Sequence, residues 1–254
     1  MTKQTRAACL IGRLLGLALL FFQMGSAWAQ PCEPMSDGTA HYVVCTIDIT
    51  KVRLRLFLDG ADGKPYSTFT ALSEALKTRN EKLDFAMNAG MFHPDFSPVG
   101  LYIEAGREFA RINTRAGPGN FHLKPNGIFY FDAHHAGIME TSAFLRAGLR
   151  PEYATQSGPL LVQGGVFHPK IEPTGTSEKI RNGVGVKDGH IAVFAISEDP
   201  VTFYRFASLF RDRLGCPDAL FLDGSISSLF APALGRTGGL LPLGPMVGVV
   251  EPVR

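Results

Sequence analysis

The stretch DALFLDGSISSLF, Asp218 to Phe230, is two kinds of sequence joined at one residue. Its first half is an apolar run suited to the inside of a sheet. The run stops at Asp223 and gives way to Gly224, Ser225, Ser227 and Ser228. A carboxylate at the end of a buried strand, ringed by hydroxyls, can act as a nucleophile, as a general base, or as a stabiliser of a developing cation. The same residues also make an ordinary turn, in which the carboxylate caps nearby backbone amides. Three further clusters mix glycine with polar residues where apolar runs begin or end. They are Asn88-Ala89-Gly90-Met91-Phe92, Gln156-Ser157-Gly158-Pro159 and Arg181-Asn182-Gly183-Val184-Gly185. Glycine at such points permits tight turns or close approach of backbone to a ligand. One cluster is ordinary turn chemistry; four of them predict a polar site assembled from strand ends. Taken singly, Arg181 reads as a surface ion-pair residue, and Asn88 and Gln156 read as buried amides satisfying strand ends.

Other chemistries lack their signatures. DGSIS has no final glycine for G-x-S-x-G, and S-x-x-K is absent. NGVGVKDG spaces its glycines wrongly for dinucleotide binding and belongs to a hairpin pattern. There is no C-x-x-C and no compact His/Asp set, so a metal-dependent phosphodiesterase is disfavoured and no cofactor is named. His93 near Asp95 reads as a loop residue, His134 and His135 as a surface turn after Asp132, and Asp48 as structural.

Residues 1–29 are read as a secretory leader. Lys3, Arg6 and Arg13 precede LLGLALLFF, and small residues end the segment at Ala29. The apolar run is roughly half of the ~20 residues a membrane span needs. The mature chain, residues 30–254, is therefore expected to be exported, as a periplasmic or secreted protein without stable membrane insertion. The whole chain has 25 basic and 23 acidic residues; removing the leader's three bases leaves 22 against 23, net −1. Such a balance gives no basic surplus for nucleic acid. In an oxidising compartment Cys32 and Cys45 could pair, leaving Cys216 as a buried small hydrophobe.

The elements that must position the clusters are mostly strands. HYVVCTIDI, VRLRLFLDG, FAMNAGMF, NGIFYF, GPLLV, GHIAVFAI and PMVGVV all read as strands. Asp188-Gly189 predicts a type I′ hairpin turn. Two helices are expected. TALSEALKTRN carries Leu72, Ala75, Leu76 and Arg79 at helical spacing with Thr70 as cap. DPVTFYRFASLFRDRLGCP carries Phe203, Phe206, Ala207, Phe210 and Leu214 as one stripe, with Asp199 as cap and Pro200 in the first turn. The expected class is α+β, one domain of mixed sheets with a few packed helices, including at least one parallel neighbour for the strand ending at Asp223.

In chain order, the four clusters together with Asn126-Gly127 and Leu222-Asp223-Gly224-Ser225 resemble the phosphodiester glycosidase family, the domain of the mannose-6-phosphate uncovering enzyme. The resemblance runs from about Tyr42 to Val250 and rests on the ordered set. Many members have Asp-Gly-Gly-Gly-Ser-Ser where this chain has Asp223-Gly224-Ser225-Ile226-Ser227-Ser228, a variant that looks like a bacterial exported subgroup. The resemblance implies cleavage between a sugar's anomeric carbon and a phosphodiester, with exopolysaccharide or cell-envelope glycans as candidate substrates. It implies catalytic roles for Asp223 as the carboxylate and Arg181 as the phosphate ligand. Asn88, Gly90, Gln156, Ser157, Gly158, Asn182 and Ser225 would then surround the carbohydrate or glycosyl-phosphate substrate. The alternative is a non-catalytic glycan- or phosphate-binding protein on the same scaffold.

Overall fold

The computed structural model describes residues 31–253, so the leader segment lies outside the described residues. In chain order the first strands are β1 (Cys32–Asp37), β2 (Ala40–Asp48), β3 (Arg53–Phe57), β4 (Glu81–Asn88), β5 (Tyr102–Glu104) and β6 (Arg107–Ala110). Next come β7 (Gly127–Phe131), β8 (Ala136–Glu140), β9 (Tyr153–Ser157), β10 (Leu160–Gln163), β11 (Val166–Phe167) and β12 (Asn182–Lys187). The last are β13 (Ile191–Ser197), β14 (Asp218–Asp223), β15 (Leu229–Ala231), β16 (Arg236–Thr237) and β17 (Met246–Pro252). Three α-helices accompany them: α1 (Phe69–Lys77), α2 (Thr141–Ala147) and α3 (Phe203–Ser208).

The strands form three sheets, ordered β1-β2-β13-β12-β14-β10-β11, β16-β15-β4-β17-β3 and β6-β5-β9-β7-β8. All three turn one face to a common core that includes Val43, Phe85, Phe129, Phe194, Leu220 and Val247. Each outer face is covered by a helix. Phe206 and Phe210, from α3 and the turn after it, pack with Phe221. Phe69, Leu72 and Leu76 of α1 pack with Leu83 and Met246. Phe144 of α2 packs with Ile128 and Ala154. The α+β class expected from the strand and helix patterns is therefore the one observed.

Several local expectations are corrected. Thr68, two residues before the expected cap, accepts from the Ala71 N–H at 3.0 Å and starts α1 at the buried Phe69. Thr202 caps α3 by accepting from the Arg205 N–H at 3.2 Å. Asp199 is engaged elsewhere, since its carboxylate meets His41 N and Nδ1, each at 2.8 Å. Pro200 sits in an extended segment, because Val201 bridges to Lys179. The helix then widens to a π turn over Leu209–Arg213.

The expected parallel neighbour of β14 is not found. Both of its partners, β10 and β12, run antiparallel to it. β13 and β14 do run in the same direction, as a helical crossover requires, but β12 lies between them. The helix segment lies close over β12 because residue 185 is glycine. A Cβ there would stand 2.7 Å from Cys216 Sγ and 2.8 Å from the Phe210 ring.

The hairpin forms with Asp188 and Gly189 at positive φ, 55° and 69°, as expected, and His190 extends it to a three-residue loop between paired Lys187 and Ile191. Cys32 and Cys45 face each other across β1 and β2 and are joined as a disulfide. Cys216 is buried, which pushes its thiol up to about 12. His134 and His135 form the turn after Asp132, whose carboxylate caps both backbone N–H groups.

Candidate active site

The four glycine-polar clusters meet at one end of the molecule. β4 ends at Asn88, β14 at Asp223 and β9 at Ser157, while β12 begins at Asn182. Asn182 and Asp223 are neighbours across β12 and β14. The Asn182 side chain crosses from the first sheet to the second. Its Nδ2 donates to Asn88 O at 3.1 Å and Oδ1 at 2.9 Å, and its Oδ1 accepts from the Asp223 N–H at 3.0 Å. Asn88 Oδ1 also accepts from the Ser228 N–H at 2.9 Å. The third sheet joins through Ser157 Oγ, which donates to Leu222 O at 2.8 Å, and Thr155 Oγ1, which donates to Ala89 O at 2.8 Å. Bonds between side chains and backbone thus clasp the strand ends of all three sheets around Asp223.

Asp223 is 6% exposed. Burial raises its carboxyl above the usual carboxylate range, against the backbone N–H groups of Ser225, Gly224 and Ile226, which pull it down. The Ser225 N–H donates to Asp223 Oδ1 at 2.8 Å. No cation enters its surroundings among the described residues. A buried, unneutralised carboxyl at a strand end costs stability, and such groups concentrate at functional sites.

Most of the amides and hydroxyls picked out with Asp223 are holders. Gln156 is 2% exposed, and its amide is fully used. Oε1 accepts from the N–H groups of Leu101 and Asn113 at 3.0 and 2.8 Å, while Nε2 donates to Asn113 O and Thr141 Oγ1 at 2.7 and 3.2 Å. That is an amide's whole capacity, so the expected contact with substrate is replaced by a bracing role for the segment around Asn113. Asn88, Asn182 and Ser157 are fully buried and bonded within the clasp. Gly90 is buried as well. Gly158 lets two chains touch, since a Cβ there would lie 2.6 Å from Asn126 Cβ. Ser225 alone of this binding set is exposed.

Arg181 is 1% exposed and lies over the outer-face core. Its guanidinium stacks 3.6 Å from the Phe203 ring centroid, Nε donates to Val201 O at 2.8 Å, and an Nη donates to Ser177 O at 2.8 Å. Burial lowers its pKa to about 10, and no anion offsets the shift. Its bonded donors thus meet backbone carbonyls and not Asp223.

Beside the Asp223 turn is a cleft of about 390 Å3, lined by Lys179, Ser225, Ser227, Ser228, Leu240 and Leu241 among others. A larger cavity, about 590 Å3, lies elsewhere, against Asp48, Lys51, Lys82 and Asp84. It contains none of the clustered strand ends. Asp48 there accepts from Lys51 and Thr50, in keeping with a structural role.

Sequence reasoning missed Lys179, Leu240 and Leu241, which carry no motif. It also passed over Thr141, whose Oγ1 donates to Oδ1 of Asn126 at 2.8 Å.

The sequence matches the family described as phosphodiester glycosidase over residues 81–240. It is 34% identical over 226 residues to the uncharacterized protein YigE of Escherichia coli strain K12, covering 89% of this chain and 86% of that one. The fold is similar to the zebrafish N-acetylglucosamine-1-phosphodiester alpha-N-acetylglucosaminidase catalytic domain, auto-inhibited by its pro-peptide. That match has a TM-score of 0.59 and 12% identity, and covers 86% of this chain and 81% of that one. A Burkholderia pseudomallei crystal structure aligns with a TM-score of 0.55 and 12% identity over 83% of this chain and 74% of that one. The chain belongs to the phosphodiester glycosidase family.

Proposed function

We propose that this protein is an exported hydrolase that cleaves the glycosidic bond of sugar-1-phosphodiesters, with Asp223 as its reacting carboxylate. The observation that carries the reading is the clasp, in which the clustered strand ends of three sheets hold one buried, unneutralised carboxyl. Asp223 is not itself in the cleft lining, which takes in the next residue, Gly224. In the reaction the bond between the anomeric carbon and oxygen breaks, and its electron pair leaves with the phosphate. A water oxygen bonds to the anomeric carbon, and its proton passes through Asp223 to solvent. A phosphate monoester has a second pKa of about 6, so it leaves with little help from a general acid. One prominent carboxylate then suffices. Ser225 and Lys179 supply donors at the cleft.

Incubating the purified protein with diesters of sugar 1-phosphates tests the reading. Release of free sugar and the phosphate monoester of the alcohol is expected; release of sugar 1-phosphate would contradict it. The disulfide between Cys32 and Cys45 supports an oxidising compartment. N-terminal sequencing of the exported protein should begin at Gln30, and a mature protein that keeps Met1 to Ala29 would refute leader cleavage.

The acid limb of the kcat/KM profile follows Asp223. As base or nucleophile it works ionised, so activity is present above its folded pKa and is lost as pH falls through it. That limb should lie above the ordinary aspartate value of 3.8, because burial raises this carboxyl. Folding shifts the opposite way. The folded carboxyl holds its proton more firmly than the unfolded one, so stability declines as pH rises from the unfolded value through the folded one. An acid limb at or below the ordinary value would remove Asp223 from the ionised role.

Arg181 in this reading braces the Ser177–Arg181 wall that carries Lys179 to the cleft. Arg181→Lys keeps the charge but cannot reproduce the two carbonyl bonds and the ring stack. Both stability and rate should fall, stability by about 1–3 kcal/mol. A 10²–10³-fold loss of rate, about 2–4 kcal/mol, with an unchanged melting temperature would instead make Arg181 a direct phosphate ligand.

A further inference from the structure

The cleft beside the Asp223 turn has an unlike lining. Ser225, Ser227 and Ser228 are in it together with Leu240 and Leu241. Leu240 is fully exposed and Leu241 is 57% exposed. These leucines are held in place rather than left on a loose tail. On one side the Gly239 N–H donates to Ser228 Oγ at 2.7 Å, and on the other the Leu243 N–H donates to Ser67 O at 2.8 Å, with the Leu243 side chain buried. The two clamps leave the leucines in the lining of the cleft, beside the serines. Ile226, half-buried, continues the apolar surface into it. Lys179 lines the same cleft, is exposed, and forms no ion pair among the described residues.

The exposed Lys179, the exposed Ser225 and an apolar lip together match an amphiphile, since Ser227 and Ser228 spend their hydroxyls on Asp223 O and the Gly239 N–H. We infer that the cleft takes a phosphodiester whose alcohol is a long aliphatic chain, with the phosphate against Lys179 and the chain on Leu240, Leu241 and Ile226. The inference names the substrate class of the proposed hydrolase and rests on that reading. A hydrophilic alcohol would leave both leucines in water, whereas an aliphatic one covers them, and each buried methylene strengthens binding several-fold.

Calorimetric titration of the full chain with n-hexyl methyl phosphate and with dimethyl phosphate tests this without any glycosidic bond. The hexyl diester should bind at least about tenfold more tightly. The double variant Leu240→Ser/Leu241→Ser should lose most of that advantage, and Lys179→Met should weaken both diesters. Both leucines are exposed, so the double variant should fold, and its melt checks this. Equal affinities in the wild type, or an advantage that survives in the double variant, would overturn the inference. Failure of the hydrolase reading shows separately, as no sugar released in the product assay.

Discussion

Asp223→Asn should give a folded protein that turns over about 10²–10⁴-fold more slowly, the scale of a lost general base or equivalent carboxylate. The substitution keeps the size of the side chain and leaves an oxygen to accept from the Ser225 N–H, now 2.8 Å from Oδ1. What it removes is the negative charge that must face a developing cation. That interaction is made mainly in the transition state, so kcat falls while binding of a substrate analogue persists. Stability should change by about 1 kcal/mol at most, the scale of one lost side-chain cap. Single-turnover rates and thermal melting, measured on the same preparation, separate the outcomes. Near-wild-type turnover would reduce Asp223 to a turn residue, and a melt that collapses with the rate would leave only a structural role.

Asn182→Ala should be nearly as damaging by another route. Asn182 does not itself line the cleft and meets it only through Ser227 Oγ at 3.4 Å, yet its amide joins two sheets. Alanine leaves the Asp223 N–H without its Oδ1 acceptor and removes the donor to Asn88 O and Oδ1. Buried groups stripped of partners cost about 1–3 kcal/mol each, so a loss of about 3 kcal/mol is expected in a denaturant titration. The rate should fall about 10²-fold as well, because a carboxylate displaced by 1 Å loses its reacting geometry. A variant that is destabilised but fully active would show that the clasp does not position Asp223.

The comparison of sequence with structure turns on what alternation and glycine can report. Strands such as Ala40–Asp48 and Ile191–Ser197 were legible because they bury long apolar runs. β1 was not, since CEPMSD carries a proline and charges that suit an edge strand. α2 was missed because its cap is Glu140, whose carboxylate accepts from the Ser142 and Ala143 N–H groups, an uncommon capping residue. The same limit governs the site. Glycine beside a polar residue marks a strand end, and those ends do converge. Whether the polar atom faces ligand or protein depends on how its bonds are filled, which no spacing reveals. Gln156 and Asn88 carry the same signal as Ser225, but only Ser225 reaches the cleft. Read singly, as amides satisfying strand ends, Asn88 and Gln156 match what is observed. Leu240 and Leu241 carry no signal in the sequence, because nothing in GGLLPLG tells that both ends of the segment are clamped elsewhere.

Hydrolysis of a sugar-1-phosphodiester in water enriched in oxygen-18 tests the central claim most directly. Attack at the anomeric carbon and attack at phosphorus can release the same sugar and the same phosphate monoester, so product identity alone does not separate them. The label does, and it is read on the phosphate, since a sugar's anomeric hydroxyl exchanges with solvent. Cleavage of the glycosidic bond beside Asp223 predicts a phosphate monoester without oxygen-18. Oxygen-18 in the phosphate would place the attack at phosphorus and contradict the assignment of a glycosidase.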